Sequence, residues 1–193
     1  MRKRLYSTGK SCGRMYRHFA EIAYGYSKLR ATDIAPLMYI VSQLRDMSRI
    51  RLGDLGCGPG RYDDMIIEYL GQKCQLFCLD VNGEMLSQLR DHMKKNNIQN
   101  FIPIRCDSHR IPFQTNSLDC VISFNAIHHF YLPRLLREVS RILKAGGKFF
   151  IYTRLKEQNE KLSGDCIFHF LTKKREDFIS SIHLRRFFKE IRI

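Results

Sequence analysis

The chain has 193 residues, of which 44% are apolar and 27% are charged, and this balance is typical of a globular protein with one sizeable core. No run of 18 apolar residues occurs, so we expect no membrane-spanning helix. Lys and Arg number 33 against 19 Asp and Glu, which gives a net charge of +14.

The positive charge is concentrated at the two ends of the chain. It is +7 over residues 1–50, +3 over 51–152 and +4 over 153–193. Basic ends around a nearly balanced middle favour an anionic partner, such as RNA or a membrane surface. A charged surface that only keeps the protein in solution is the alternative, and the charge alone does not choose between them.

The N-terminus and the cysteines bear on the compartment. The first 19 residues are rich in Arg and contain no acid, which is weakly typical of a mitochondrial transit peptide but not of a secretory signal. Seven cysteines are an odd number, which favours reduced thiols. We expect a cytoplasmic protein, with a mitochondrial location as the alternative. Cys74 and Cys78 lack partners at zinc-ligand spacing, so we interpret them as core residues and predict no metal site.

The first elements alternate helix and strand. Residues 33–47 are predicted to be a helix, with Asp33 as its N-cap and Pro36 in its first turn. A strand over 49–55 precedes a second helix over 61–70. The predicted apolar face of that second helix consists of Tyr62, Met65, Ile66, Tyr69 and Leu70.

The alternation of helices and strands continues to residue 153. Strands are predicted at 74–81, 101–106, 119–125 and 148–153. Helices are predicted over 83–96 and over 132–144, and the latter ends at the glycine pair Gly146-Gly147, a typical C-cap. After Thr153 the sequence is polar, basic and mostly helical in pattern, with at most one further short strand, around 188–193.

The strands are apolar on both faces, as in a parallel sheet buried between layers of helices. The sequence therefore predicts an α/β fold with a Rossmann-like, doubly wound, mostly parallel sheet and helices on both faces. We expect a single domain over residues 1–193. Its segments are a basic N-terminus expected to be disordered (1–17), a helical cap (18–48), a ligand-binding core (49–153) and a basic helical C-terminal segment (154–193).

The stretch DLGCGPG, residues 54–60, comes directly after the first core strand. Its three glycines, Gly56, Gly58 and Gly60, let backbone N–H groups approach a ligand that a side chain would keep away. The dinucleotide pattern G-x-G-x-x-G fails at Arg61, and the phosphate-loop pattern G-x-x-x-x-G-K-[ST] is also absent. The turn therefore predicts a ligand site of another kind, at the strand–helix connection where doubly wound sheets bind ligands.

Carboxylates follow three neighbouring strands of the predicted sheet. Asp54 immediately precedes the glycine turn and can accept a hydrogen bond from an ammonium group. Asp80 ends the second strand, where an acid can bind both hydroxyls of a ribose. Asp107 and Ser108 follow the third strand, where the amino group of a base can donate. This edge suits a ligand with a cationic end, a ribose and a purine, and no phosphate.

Four stretches together resemble class I S-adenosylmethionine-dependent methyltransferases. They are RLGDLGCGPGRY, LFCLDVNGEML, IRCDSHRIPFQTNSLDCVISFNAIHHF and LREVSRILKAGGKFFIYTR. With a weaker match at HFAEIAYGYSKLRATD, the resemblance covers residues 18–155. It implies S-adenosyl-L-methionine as the cofactor and methyl transfer as the activity.

The resemblance also implies roles for individual residues. The methionine part of the cofactor is held by Asp54 and the turn residues Gly56, Cys57, Gly58 and Gly60. The ribose is bound by Asp80, the adenine packs on Val81, and Asp107 with Ser108 binds the adenine amine. Asn125 lies beside the methyl group, and Tyr26 and Arg30 close over the cofactor.

Simpler interpretations of these residues stay open. Asp54 can cap the strand end, Asp80 can be the N-cap of the next helix, and Asp107 can start a turn. Arg30 can form a surface ion pair with Asp33.

His128 and His129, in the stretch NAIHHF, are the candidate catalytic residues. Methyl transfer from a sulfonium needs alignment of the acceptor above all, and a base only where the acceptor must lose a proton. One imidazole can be that base. The alternative is that one ring packs against the loop while the other lies in solvent.

The acceptor is not fixed by these motifs. The stretches IHHF and LREVSRILKAGGKFFIYTRLKEQ are similar to enzymes that methylate the carboxymethyl group of wobble uridines in tRNA, and the charge of +14 agrees with RNA binding. FAEIAYGYSKLR and DVNGEML are similar to enzymes that methylate quinone precursors and other small molecules. A small-molecule acceptor is slightly favoured, with tRNA as the alternative.

The sequence departs from the family after residue 153. Members usually continue with a sixth strand and an antiparallel seventh, whereas about 40 residues remain here, so we expect the final β-hairpin to be lacking in part or whole. This raises a further alternative, a methyltransferase-like protein with weak or no activity that acts through an activating protein partner.

Overall fold

A computed structural model describes residues 34–153 and 169–174. The strands are β1 (Ile50–Leu55), β2 (Cys74–Asp80), β3 (Phe101–Arg105), β4 (Leu118–Phe124), β5 (Leu143–Thr153) and β6 (His169–Lys174). The helices are α1 (Ala35–Leu44), α2 (Asp63–Leu70), α3 (Gly83–Lys95) and α4 (Leu132–Ile142), with short 3₁₀ turns at Gly71–Lys73 and Ile127–His129. None of the helices in this part of the chain is long and apolar enough to cross a membrane.

The six strands form one sheet in the order β3-β2-β1-β4-β5-β6. The first five are parallel to their neighbours. The strand order reverses between β1 and β4, which is the switch point where doubly wound sheets bind ligands. The predicted fold class is confirmed.

The sheet is buried on both faces. In β2, Leu76 and Cys78 pack into the core beneath α1, α2 and α3, whereas Phe77 and Leu79 pack into the core beneath α4. This alternation is the period of two that a β-strand imposes on its side chains. Cys74 and Cys78 lie buried on the same face as free thiols, in agreement with their interpretation as core residues.

The apolar face of α2 differs from the prediction. Tyr69 is 50% exposed, and Ile67 is buried instead, beside Ile66 and Leu70. Ile66 and Leu70, at positions i and i+4, form a stripe along the helix. The sheet can cover residues on either side of this stripe, and the sequence did not show which side. The covered side also contains Asp63.

Two helix ends also differ. The N-cap of α1 is Ile34, which makes no side-chain capping bond, while Pro36 lies in the first turn as predicted. Helix α4 ends at Ile142 instead of near residue 144, because the chain turns directly into β5. The carbonyls of Arg141 and Ile142 accept backbone N–H groups of Asn116 and Ser117 at 2.9 and 2.8 Å, so the helix end needs no glycine cap.

Strand β6 lies within the segment that was predicted to be mostly helical. It pairs antiparallel with β5, from Lys148 opposite Lys174 to Thr153 opposite His169. The prediction was wrong here because pairing with the open edge of β5 fixes this strand, and local periodicity does not report such a contact. The predicted strand at 188–193, residues 1–33 with the cap residue Asp33, and the remainder of 154–193 lie outside the described residues.

Candidate functional site

The carboxyl ends of β1, β2 and β3 meet at one edge of the sheet. Leu55 is in register with Leu79, and Asp80 with Arg105. The glycine turn leaves β1 at this edge, next to the switch point between β1 and β4. The predicted residues at the strand ends are therefore brought together here.

The three glycines of the turn have different surroundings. Gly56, Gly58 and Gly60 all have positive φ, of 72°, 57° and 81°. A Cβ atom on Gly56 would lie 2.5 Å from the Cβ of Ala126, and one on Gly60 would lie 2.1 Å from Cδ1 of Leu89. A Cβ on Gly58 would meet nothing within 4 Å. Two glycines therefore permit tight packing, and Gly58 borders open space.

The N–H groups of the turn are used within the protein. Gly56 and Cys57 donate to the carbonyl of Leu79 at 2.8 and 3.2 Å, and Gly58 donates to Oδ2 of Asp80 at 2.9 Å. The expectation that these groups point at a ligand needs correction: they fasten the turn to β2. The turn thus lacks the row of donors that binds phosphate in other glycine loops.

Cys57 contributes only its backbone to this edge. Its side chain is buried in the core beneath α1, α2 and α3, and burial raises the pKa of its thiol well above the usual range. The thiol therefore stays protonated and is unsuited to act as a nucleophile.

Asp54 is a buried carboxyl group with an unused oxygen. The residue is 3% exposed, and its Oδ1 has no hydrogen-bond partner among the described residues. Burial, together with the neighbouring Asp63, raises its pKa well above the usual range. An unpaired buried carboxylate is costly unless a cation meets it, so this geometry fits an ammonium group better than a strand cap.

Asp80 is half-buried at the tip of β2. Its Oδ1 accepts the N–H of Asn82 at 2.8 Å, and its Oδ2 accepts that of Gly58. Asn82, not Asp80, is the N-cap of α3, since its side chain accepts the N–H groups of Glu84 and Met85. The interpretation of Asp80 as that cap is therefore wrong. Its oxygens keep lone pairs for a diol, and the neighbouring Val81 is 40% exposed.

Asp107 lies at the exposed end of this row of carboxylates. Its side chain is 62% exposed, and it does start a turn, because its Oδ1 accepts the N–H of His109 at 2.8 Å. The same oxygen lies 2.7 Å from Nδ1 of His109. Nε2 of that ring accepts the N–H of Tyr131 at 2.8 Å, which places the ring proton on Nδ1. Ser108, by contrast, is buried.

The loop after β4 packs directly on the glycine turn. Asn125 has a φ of 52° and donates its N–H to the carbonyl of Tyr152 at 2.7 Å. Ala126 then contacts Gly56. His128 is exposed and His129 half-buried, with ring centroids 3.9 Å apart. The structure places both imidazoles near the edge, and their catalytic role stays a prediction.

Asp63 is a site residue that the sequence analysis did not single out. It is fully buried at the start of α2, and its carboxyl group interacts with that of Asp54. Its position on the same helix face as Ile66, Ile67 and Leu70 was a usable signal, because a carboxyl group on an apolar face needs an explanation. Tyr26 and Arg30 lie outside the described residues, and no metal-binding cluster occurs among those described.

The chain belongs to the class I S-adenosyl-L-methionine-dependent methyltransferase family, because a family profile described as a methyltransferase domain matches residues 53–151, just over half of its length. The match runs from β1 to β5 and contains every candidate site residue in the described part of the chain. The predictions of this family and of S-adenosyl-L-methionine as its cofactor are confirmed.

Two curated relatives illustrate the breadth of the family. The tRNA (carboxymethyluridine(34)-5-O)-methyltransferase ALKBH8 of Macaca fascicularis is 32% identical over 149 residues, which are 75% of this chain and 20% of that protein. The ubiquinone/menaquinone biosynthesis C-methyltransferase UbiE of Brucella canis is 33% identical over 98 residues, 50% of this chain and 36% of that protein. The chain thus spans about a fifth to a third of these relatives.

Solved structures show the same fold. A SAM-dependent methyltransferase from Aquifex aeolicus superposes with a TM-score of 0.63 at 19% sequence identity. The superposition covers 85% of this chain and 86% of the Aquifex chain. A putative methyltransferase from Haloferax volcanii, solved with the Trm112 methyltransferase activator, has a TM-score of 0.61 at 23% identity over 73% of this chain and 62% of its own.

Proposed function

We propose that this protein is an S-adenosyl-L-methionine-dependent methyltransferase. The observation that supports this most directly is the buried Asp54, whose Oδ1 has no hydrogen-bond partner among the described residues. It lies at the same sheet edge as Gly58, where an added Cβ atom would meet nothing within 4 Å. A sulfonium amino acid has an ammonium group to fill that position. Asp80 then binds the ribose hydroxyls, Val81 packs on the adenine, and Asp107 accepts from the adenine amine.

The residues of the chain bind and orient in this mechanism. When bound, the cofactor supplies a methyl group that its sulfonium charge already activates. The glycine turn and the three carboxylates hold the donor in one pose, and the loop at 125–130 aligns the acceptor against it, which is the main requirement of a displacement. His128 or His129 takes a proton from an acceptor that must lose one.

The first experiment tests cofactor binding. We expect S-adenosylhomocysteine to bind the wild-type protein at micromolar concentration in isothermal titration calorimetry. Asp80→Asn weakens binding by about 10- to 100-fold, because charge-assisted hydrogen bonds to the diol are lost. Asp91→Asn, on the exposed face of α3, is the matched control and leaves the affinity unchanged. Absence of wild-type binding would contradict the proposed function.

Two acceptor classes are supported by different findings. A small molecule, the class slightly favoured by the sequence, agrees with the similarity to the UbiE enzymes. A tRNA acceptor agrees with the net charge of +14 and with a similarity to the ALKBH8 enzyme that extends over 149 residues, beyond the family domain.

Methyl incorporation separates these classes. Radiolabelled S-adenosyl-L-methionine is supplied with bulk tRNA in one arm and with a small-molecule extract in the other. If tRNA is the acceptor, its labelling falls steeply between about 50 and 200 mM salt, because phosphate contacts release counterions. Labelling of the extract alone would remove the tRNA proposal.

A weak or inactive form that acts through a protein partner is the remaining alternative. It is supported by the similarity to a methyltransferase solved together with the Trm112 activator. A lack of labelling in both arms, with activity restored when an activator protein of that kind is co-expressed, would favour this alternative.

A further inference from the structure

Asp54 and Asp63 form a buried pair of carboxyl groups beneath the glycine turn. Asp63 is 0% exposed, and its Oδ2 lies 3.5 Å from the position that a Cβ atom on Gly60 would take. Oδ1 of Asp54 and both carboxyl oxygens of Asp63 have no hydrogen-bond partner at ordinary distance among the described residues. The two side chains interact with each other, and the Cys78 thiol is the neighbouring donor that acts on Asp63. Two facing carboxylates repel each other, so a single proton between them relieves the contact.

The surroundings do not neutralise this pair. Asp80 from β2 and Asp64 from α2 add negative charge. A basic side chain that acts on Asp63 is the imidazole of His92 from α3, whose Nε2 lies 2.7 Å from Oδ2 of Asp64.

The neighbouring thiols contribute no charge. Burial raises the pKa of Cys78 to about 12 and that of Cys57 well above the usual range, so both are neutral at physiological pH. Burial likewise raises the pKa of Asp63 to about 6, within reach of ordinary buffers.

We propose that Asp63 is a positioning residue for cofactor binding, which shares one proton with Asp54 in the free protein and releases it when a cationic ammonium group binds at Asp54. This inference rests on the proposed function. The ammonium charge replaces the proton as the counter-charge of the pair. The proton leaves to solvent, so each binding event releases up to one proton.

Proton release gives the pH effect a definite direction. The pKa of Asp54 is raised well above its usual range, whereas that of Asp63 is raised only to about 6, so the free pair keeps a proton above the pH at which Asp63 titrates. The ligand must displace that proton, so affinity falls as the pH falls, and protonation of Asp63 below about pH 6 adds to the fall. By linkage, the protonation of Asp63 alone weakens binding by about tenfold at pH 5 relative to pH 7.5.

Isothermal titration of S-adenosylhomocysteine from about pH 5.0 to 7.5 tests this proposal. The wild-type protein is expected to lose about tenfold or more in affinity at the acidic end. Titration near pH 5.5 in two buffers of different ionisation enthalpy then reports the released proton as a difference in the apparent binding enthalpy. A wild-type Kd that stays constant over the range, with no buffer dependence, would overturn the inference.

Asp63→Asn isolates the pair. The amide donates to Asp54 and removes the carboxylate that repels it, so the pKa of Asp54 falls, although burial still raises it. The pH dependence of the affinity and the proton release therefore both decrease. Asp91→Asn, on the exposed face of α3, is the matched control and is expected to keep the wild-type pH profile. His92→Gln tests the contribution of the imidazole that acts on Asp63. A pH dependence that is unchanged in Asp63→Asn but lost in His92→Gln would assign the effect to the imidazole and overturn the proposal.

The outcomes separate this proposal from the proposed function. Binding at pH 7.5 that does not change at pH 5 contradicts only the role of Asp63. No binding at any pH contradicts both proposals. Circular dichroism of each variant at both pH values establishes that it is folded, and if Asp63→Asn is not, the wild-type pH series and the two-buffer titration decide alone.

Discussion

The candidate site has a closed side and an open side. On the closed side, Asp54 and Asp63 are buried carboxyl groups and Gly60 packs against Leu89. On the open side, Gly58 borders free space and Asp107 is largely exposed, with Oδ1 already engaged by His109. Because electrostatic interactions strengthen as water is excluded, the closed side should determine affinity, while the open side should adjust it.

The largest expected effect is on the closed side, in Asp54→Asn. The ammonium group loses its buried counter-charge, which we expect to cost about 100-fold or more in affinity for S-adenosylhomocysteine. Calorimetry measures the loss. Thermal unfolding serves as the control, since removing an unpaired buried carboxyl should leave the fold intact or more stable. Wild-type affinity in this variant would show that the closed side does not determine the affinity for the ligand.

The glycines offer the next comparison. Gly60→Ala places a methyl group 2.1 Å from Cδ1 of the buried Leu89 at a φ of 81°, so we expect the free energy of unfolding to fall by about 2–4 kcal/mol. The methyl group added in Gly58→Ala would meet no atom within 4 Å. We therefore expect the free energy of unfolding to fall by only about 1 kcal/mol, from backbone strain at positive φ. Urea denaturation of both variants measures the difference. Equal losses would show that packing does not separate the two positions.

Asp63→Asn is expected to stabilise the protein at neutral pH. The carboxyl binds its proton more tightly in the folded state, with a pKa of about 6, than in the unfolded chain. The contribution of Asp63 to stability is therefore greatest below about pH 4, is lost as the pH rises through about 6, and does not return above it. The amide removes this loss, a gain on the order of 2 kcal/mol at pH 7.5. Urea denaturation at pH 4 and 7.5 checks the slope, and a wild-type stability that rises over this range would refute it.

The smallest effect is expected on the open side, in Asp107→Asn. Solvent screens this carboxylate, and the amide oxygen can still accept from His109, so the affinity for S-adenosylhomocysteine should fall only about three- to fivefold. The same calorimetric titration measures it. A loss as large as that of Asp54→Asn would mean that the adenine end, not the methionine end, dominates binding.

The sheet and the position of its edge could be predicted from the sequence. The strands and helices have strong local periodicity, and parallel strands bring their carboxyl ends to one edge, so the locations of Asp54, Asp80 and Asp107 could be inferred from their places in the chain. The same reasoning placed the glycine turn beside them, because it comes directly after β1.

The remaining features depend on contacts between distant residues. The N–H groups of the turn donate to Leu79 and Asp80 on another strand, which no local pattern reports. His109 reaches Tyr131 across 22 positions, and β6 exists through its pairing with β5. The burial of Asp63 depended on which flank of α2 the sheet covers.

The contact between Gly56 and Ala126 has a consequence for how the protein could evolve. It joins the glycine turn to the loop that carries His128 and His129, with no spare room between them. Neither loop can be remodelled at this contact without disturbing the other. Sequence variation should therefore accumulate away from this junction.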